Sequence, residues 1–343
     1  MPNTIVRLCL VLLLAPLALA ARPPIEPQRQ TAPAQAARPG QPAPQAQAAQ
    51  ATPPDGGGPS AQSGGDIQVL LNRAGFSPGV IDGKPGSNTW KALQAFQAAH
   101  DLPATGKMDD VTWENLIAAG GNQMVVPYTI TRGDVDGPFV PKMPEDMLEK
   151  AKLEVLAYTS LLEMLAERFH TTPELLRTLN PGARFAEGET IRVPNARHVS
   201  TEPQEGLDDV RVVVSKSQGT LTVERGDDVL FFAPVTSGSE RDPLPIGDWK
   251  VTSVSRNPVF NYNPDLFWDA DPAHSKAKVA PGPNNPVGLV WIDLSKEHYG
   301  LHGTPEPSTV GKTSSHGCVR LTNWDALTVA GLVKKGTPVL FRP

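Results

Sequence analysis

The chain has 343 residues, enough for two or three domains; 39% are hydrophobic and 36 are prolines, about twice the usual share. Its formal net charge is −5 and no stretch forms a basic run, which excludes the cationic footprint that a nucleic-acid binder sets against phosphates. After the first two dozen residues nothing is apolar for long enough to span a bilayer.

Residues 1–20 read as an export signal. Arg7 supplies a positive n-region, Leu8 to Leu19 an apolar stretch too short for a comfortable transmembrane helix, and Ala18-Leu19-Ala20 a small-residue cleavage site. A short uncleaved anchor is the alternative. Cys9 precedes the apolar run rather than following it, so lipidation is not expected. Cleavage after Ala20 removes Cys9 and leaves Cys318 as the one thiol of the mature chain. A single thiol forms no internal disulfide; Cys318 is either inert and buried or reactive. Residues 21–65 are rich in Pro, Ala, Gln and Gly, with almost no large apolar side chain. They are predicted to be a disordered tether with a reach of roughly 30–40 Å.

From Asp66 the pattern turns helical. Ile67, Leu70 and Leu71 share a face; a turn follows at Gly79-Val80-Ile81-Asp82-Gly83. Asn88 or Thr89 is expected to cap a second helix with Leu93 and Phe96 inside, and Asp109 to Ala118 reads as a third, with Trp113 and Leu116 inside. The unit, 66–120, resembles the peptidoglycan-binding domain found beside many wall enzymes. The residues that carry the likeness are Ile67-Gln68, Leu70-Leu71, Ile81-Asp82-Gly83, Thr89-Trp90, Ala92-Leu93, Phe96-Gln97, Leu102-Pro103, Thr105-Gly106 and Thr112-Trp113 with Leu116. Trp90 and Trp113 themselves are expected to be core.

Residues 126–196 are less regular. Tyr128 to Asp134 looks like the opening strand and turn of a LysM carbohydrate-binding module. Leu162 to Phe169 and Thr172 to Asn180 look like its helices, and Gly188 to Pro194 like its closing strand. About 25 residues from Val135 onward interrupt that pattern, so a spacer and a working glycan binder are both open readings.

His198 to Gly206 is polar and serves as a boundary to a domain at 208–343. There the period becomes strand-like: Val210–Val214, Thr220–Glu224, Val229–Phe232, Trp249–Val254 and Val290–Leu294. Arg256 to Pro286 is a long segment rich in Asn, Pro, Asp and aromatics; its length and position suggest a lid or substrate wall. Thr322 or Asn323 caps a helix to about Lys334, Gly336 ends it, and Pro338–Phe341 is a last strand.

The chemistry concentrates in Ser315-His316-Gly317-Cys318-Val319-Arg320, with His302 thirteen residues before Ser315. Nucleophilic acyl transfer needs a thiolate, a base and oxyanion donors. Cys318 can be the nucleophile, and an imidazole beside it would depress its pKa and form an ion pair. The same imidazole can later protonate a leaving amine. Gly317 lets main-chain N–H groups approach a developing oxyanion. Taken singly, each residue has a bland reading: Cys318 as a small buried apolar side chain, His302 as a hydrogen-bonded structural histidine, Arg320 as a surface charge, Ser315 as a turn residue. Two histidines and a cysteine could also bind zinc, but the mature chain has no second thiol and no histidine pair at helical spacing beside this cysteine.

Taken jointly, the pattern resembles the L,D-transpeptidase (YkuD-like) family, whose hallmark is an upstream His followed by Ser/Thr-His-Gly-Cys. The likeness runs from about Val210 to Phe341. It includes Pro245-Ile246-Gly247, Asn285-Pro286-Val287-Gly288, Gly300 to Thr304, Ser308 to Gly311 and Ser315 to Leu321. Position 320 is Arg where some members carry Asn. The resemblance implies a multidomain chain with a mainly β, β-sandwich-like catalytic domain behind a three-helix peptidoglycan-binding domain and an α+β LysM-like module. It implies that Cys318 attacks the L,D bond of a tetrapeptide donor stem next to the terminal D-Ala. His302 would be base and then acid, oriented by the Gly303 carbonyl. His316, Gly317 and Cys318 would line the oxyanion site. Arg320, Ser315 and Thr304 would face substrate, Arg320 pairing with a carboxylate and Ser315 also shaping the turn. A neighbouring stem's amine would resolve the thioester as a 3→3 cross-link. Water as acceptor would give a carboxypeptidase, and a lipoprotein lysine a protein-to-wall ligase; a decayed, purely wall-binding protein is the reading outside enzymes. The expected partners are peptidoglycan stem peptides and glycan, without metal or organic cofactor, the thiol is expected to be sensitive to carbapenems, and the expected location is the periplasm or cell wall.

Overall fold

The computed structural model describes residues 63–202 and 205–343. The predicted signal and nearly all of the tether lie outside the described residues.

Ser63 opens the first helix, α1 (Gly64–Arg73). Its hydroxyl accepts from the Asp66 N–H while the Asp66 carboxylate accepts from the Ser63 N–H, so the helix starts before the expected Asp66. The second helix, α2 (Ser87–Ala99), is capped by Gly86, not by Asn88 or Thr89. Thr89 lies one turn in, where its hydroxyl accepts from Gly86 N–H; Asn88 donates instead to the Val310 carbonyl at 2.9 Å. Asp109 caps α3 (Asp110–Gly120). Ile67, Leu70, Leu71, Leu93, Phe96 and Leu116 are buried together, as their spacing predicts. Trp113 packs against this cluster. Trp90 does not: it is 39% exposed. Positions 89, 92, 93 and 96 define the inner face of α2, and the next residue round from Thr89 is turned about 100° away from it.

The second module runs β1 (Val125–Thr129), α4 (Arg132–Asp136), α5 (Met147–Lys150), α6 (Leu161–Arg168), α7 (Pro173–Leu179), β2 (Thr190–Pro194). The strands pair antiparallel, Tyr128 opposite Ile191. Ile130, Leu165, Leu176, Ile191 and Val193 form its core. Met143, Met147, Leu153 and Leu156, from the inserted residues, pack elsewhere, against Tyr262 and Val279.

The remaining elements are β3 (Val210–Ser215), β4 (Thr220–Arg225), β5 (Asp228–Pro234), β6 (Thr236–Ser237), β7 (Gly247–Arg256), β8 (Phe260–Tyr262), β9 (Ala277–Val279), β10 (Val290–Leu294), β11 (Gly300–His302), β12 (Val319–Arg320), α8 (Asn323–Leu332) and β13 (Pro338–Arg342). Nine of these strands form one sheet in the order β5-β4-β3-β13-β7-β10-β11-β12-β6. The two sides of the expected sandwich are therefore continuous. The ten-residue β7 pairs with β13 through Gly247–Lys250 and with β10 through Val251–Arg256, passing from one half to the other. Both halves feed one core: Val212, Val223 and Phe231 from the first, Val290, Ile292, Leu301 and Val319 from the second, closed by Ala326, Val329 and Ala330 of α8. Helix α8 stops at Leu332, where Val333 is extended, short of the Gly336 stop; Gly336, at φ +94°, forms the turn into β13. The segment Arg256–Pro286, expected as irregular loop, holds the hairpin β8–β9 and a 3₁₀ turn at Pro264–Leu266.

Backbone and ring contacts join the modules to one another. Phe232 of β5 donates its N–H to Gly75 and accepts from Ser77, and its ring stacks on Phe76 at 6.5 Å. Ile81 N–H donates to the His170 carbonyl at 2.8 Å. The described residues all fall within a single compact unit.

Candidate active site

Two very short parallel strands assemble the site. In β11 and β12, Leu301 lies opposite Val319 and His302 opposite Arg320. Cys318, immediately before β12, therefore stands two register positions from His302 on the neighbouring strand. Leu321 N–H donates to the His302 carbonyl at 2.8 Å and locks that register. On the other side Val319 lies opposite Ser237 of β6.

His302 is 6% exposed. Its ring stacks on Trp291, the residue opposite it on β10, at 5.6 Å and 23°. Its Nδ1 lies 2.7 Å from the Gly303 carbonyl oxygen. A carbonyl only accepts, so Nδ1 carries the proton and Nε2 keeps its lone pair. Burial, with the Arg320 charge adding to it, holds the imidazole down to about 4.

The Cys318 thiol is half-buried and donates to the His298 carbonyl at 3.6 Å. Burial pushes it up to about 11, against the smaller opposing pulls of the Gly300 N–H and the Arg320 guanidinium. Desolvation raises the thiol and lowers the imidazole, so burial works against the expected thiolate–imidazolium pair.

The turn before the cysteine is pinned from within. Ser315 Oγ accepts from Gly238 N–H at 2.7 Å and donates to the Cys318 carbonyl at 2.6 Å, while Ser315 N–H donates to the Gly238 carbonyl. Ser315 is 6% exposed, and both of its hydroxyl bonds are made within the turn. Thr304, expected beside it on the substrate side, is likewise buried and accepts from Glu306 N–H. Gly317 has φ +101°, and a Cβ there would lie 2.7 Å from the Tyr299 ring, so only glycine passes this turn unstrained. The N–H groups of His316 and Gly317 have no hydrogen-bond acceptor among the described residues.

The imidazole of His316 turns away from the thiol. Its Nε2 sits 2.8 Å from Asp269 Oδ1, and Phe267 and Trp268 flank its ring at 5.2 and 5.6 Å. Arg241 lies over Trp268 at 4.5 Å. The segment read as a lid or wall therefore reaches the site through Phe267, Trp268 and Asp269. None of these three, nor Trp291, Tyr299 or Gly238, was singled out by the sequence; the only signal was the aromatic and acidic character of a long loop. Arg320 is half-buried, close enough to Cys318 and His302 to perturb both, with Glu306 the acidic group facing it. Its Nε has no partner among the described residues. No three His, Cys, Asp or Glu side chains among the described residues gather as a metal site.

Comparison with known proteins gives the same outline. The model of the L,D-transpeptidase catalytic domain matches residues 209–340, and that of a peptidoglycan-binding domain matches 64–116. A protein of Bacillus licheniformis bearing the L,D-transpeptidase name YkuD is 32% identical over 185 residues, 53% of this chain and 93% of that one. Its namesake in Bacillus subtilis is 28% identical over 180 residues, 52% of this chain and 91% of that one. Among solved structures, the L,D-transpeptidase from Mycobacterium smegmatis aligns at 18% identity with a TM-score of 0.33, covering 47% of this chain and 76% of that one.

Proposed function

The chain belongs to the L,D-transpeptidase family, and from that premise we propose that Cys318 is its nucleophile, His302 its base, and 3→3 cross-linking of peptidoglycan its reaction. The observation that carries the assignment is the placement of His302: its Nδ1 proton is held by Gly303 and its Nε2 left free, one strand away from the thiol.

In the first half-reaction Cys318 Sγ attacks the carbonyl that joins the third stem residue to D-Ala, and the thiol proton passes to His302 Nε2. Burial disfavours both charged forms, which supports a proton transfer that accompanies attack. The oxyanion meets the unused N–H groups of His316 and Gly317. Collapse breaks the C–N bond, the imidazolium returns its proton to the departing amine, and D-Ala leaves a thioester behind. In the second half an acceptor stem amine attacks the thioester, its proton goes to Nε2 and on to the thiolate, and Cys318 is regenerated. Arg320, whose Nε lacks a partner among the described residues, pairs with a substrate carboxylate. The helical module at 64–116 and the module between β1 and β2 hold the wall polymer near this centre, and the enzyme works outside the cytoplasm.

The test is mass spectrometry of the purified protein incubated with disaccharide-tetrapeptide. Dimers linked 3→3, with free D-Ala, are expected. Cys318→Ala should yield none while keeping the parent's unfolding curve; normal turnover by that variant would overturn the assignment. Tripeptide without dimers would transfer the second step to water.

A further inference from the structure

We propose that Asn323 and Glu167 are positioning residues of the transfer reaction, bracing from behind the Gly303 carbonyl that fixes the tautomer of His302. The proposal rests on His302 acting as the base, and it brings a residue of the second module into the working of the catalytic domain.

Asn323 opens α8 and is 1% exposed. Its carboxamide occupies the space that side chains at Gly288 and Gly303 would need: a Cβ at either position would overlap Asn323 Oδ1. The two glycines and the amide are thus one packed unit, with the Gly303 peptide resting directly on it. The amide is in turn held in a fixed orientation. Its Oδ1 accepts from Leu289 N–H at 3.0 Å, and its Nδ2 donates to the Pro283 carbonyl at 3.2 Å and to Glu167 Oε1 at 3.0 Å. Both amide protons are therefore used, and the side chain cannot flip without breaking three bonds.

Glu167 comes from α6, 156 residues away in the chain. It also accepts from the Tyr158 hydroxyl at 3.2 Å. No Lys, Arg or His forms an ion pair with it among the described residues. Burial pushes its carboxyl up to about 7, while the bonds from Asn323 and Tyr158 pull the other way. Both bonds fall on Oε1, which accepts whether or not Oε2 carries a proton. One turn earlier on α6, Glu163 accepts from Asn284 Nδ2 at 2.9 Å, and Asn284 N–H donates to the Leu156 carbonyl. The second module thus holds both the Pro283–Asn284 segment and Asn323.

The path is short: Glu167 orients Asn323, Asn323 supports Gly303, and the Gly303 carbonyl accepts the Nδ1 proton of His302. If the Gly303 peptide turned, that proton could move to Nε2 in part of the molecules, and those molecules could not accept the thiol proton. Neither Asn323 nor Glu167 touches the thiol; both act through Gly303.

The experiment uses the full chain with Asn323→Ala, Glu167→Ala and Glu167→Gln. Two quantities are read: the acylation rate of Cys318 by disaccharide-tetrapeptide, and the imidazole ¹⁵N shifts of His302, which report its tautomer. Asn323→Ala should slow acylation about 10- to 100-fold at saturating donor, with KM changed less than about twofold, and should mix the two tautomers. Glu167→Ala should give a smaller loss in the same direction, and Glu167→Gln should recover most of it, because its amide oxygen still accepts from Asn323. Folded Asn323→Ala and Glu167→Ala proteins with an unmixed tautomer and the parent's acylation rate would overturn the proposal. So would rate losses that merely follow the folded fraction. Parental acylation by His302→Ala would instead remove the base assignment on which the proposal rests, so the two failures are told apart.

Discussion

The two halves of the nine-stranded sheet are built differently. The half β5-β4-β3-β13 consists of strands five to seven residues long. Glycine turns at Gly219 and Gly226, both at φ +61°, join β3 to β4 and β4 to β5 as hairpins. Its buried residues alternate along β3 and β4, and its register follows from that alternation. The half β10-β11-β12-β6 ends in strands of three, two and two residues. Strands that short cannot specify a register by themselves. Theirs is imposed by contacts such as Leu321 N–H to His302 and Ser315 to Gly238. Yet His302, Ser315, Cys318 and Arg320 all sit in this second half. The regular half supplies a rigid backing. The irregular half delivers side chains at strand ends, where loops can still turn toward a substrate.

If that division is right, substitutions in the two halves should fail in different ways. The largest effect is expected at His302. His302→Ala should slow acylation by about 10²–10⁴-fold with little change in urea unfolding. His316→Ala, whose ring is engaged with Asp269, should cost less than about tenfold. Stopped-flow acylation giving the reverse order would place the base on the wrong histidine. Next comes the protonation state. With the thiol raised to about 11, iodoacetamide alkylation of Cys318 should climb about tenfold per pH unit from pH 6 to 9. A plateau across that range would mean an ion pair after all. In the regular half, Val223→Ala should cost about 2 kcal/mol in denaturant unfolding, since the side chain is fully buried. The folded variant should acylate at the parent's rate, and a rate loss there would break the division between backing and site.

The smallest effect concerns the junction behind α8. Ser77 donates to Asp325 Oδ2 at 2.9 Å, and burial pushes the Asp325 carboxyl up to about 7. The unfolded carboxyl titrates near 4. Folding is therefore favoured by this group at low pH, and that contribution is lost as pH rises from about 4 through 7. Asp325→Asn has no such proton to lose. Its melting temperature relative to the parent should rise between pH 5 and pH 8, by about 2–4 °C for each kcal/mol relieved. A difference that does not change with pH would show that the carboxyl is not neutral in the fold.

Much of this molecule is written locally in its sequence. The faces of α1, α2 and α3, the strands of the regular half and β10 follow from apolar spacing and turn residues within a dozen positions. The segment Ser315 to Arg320 with His302 upstream marked the candidate site, because the proposed nucleophile, glycine turn and base lie close together in the chain. What the tertiary structure decided are meetings across long separations. Asp269 reaches His316 over 47 residues, Glu167 reaches Asn323 over 156, and Ser77 reaches Asp325 over 248. No periodicity encodes such pairs, since each depends on how whole elements pack. The same holds for the charges. Cys318 and His302 look like an ion pair in waiting when read as residue types, and burial, a property of the fold alone, works against both charged forms.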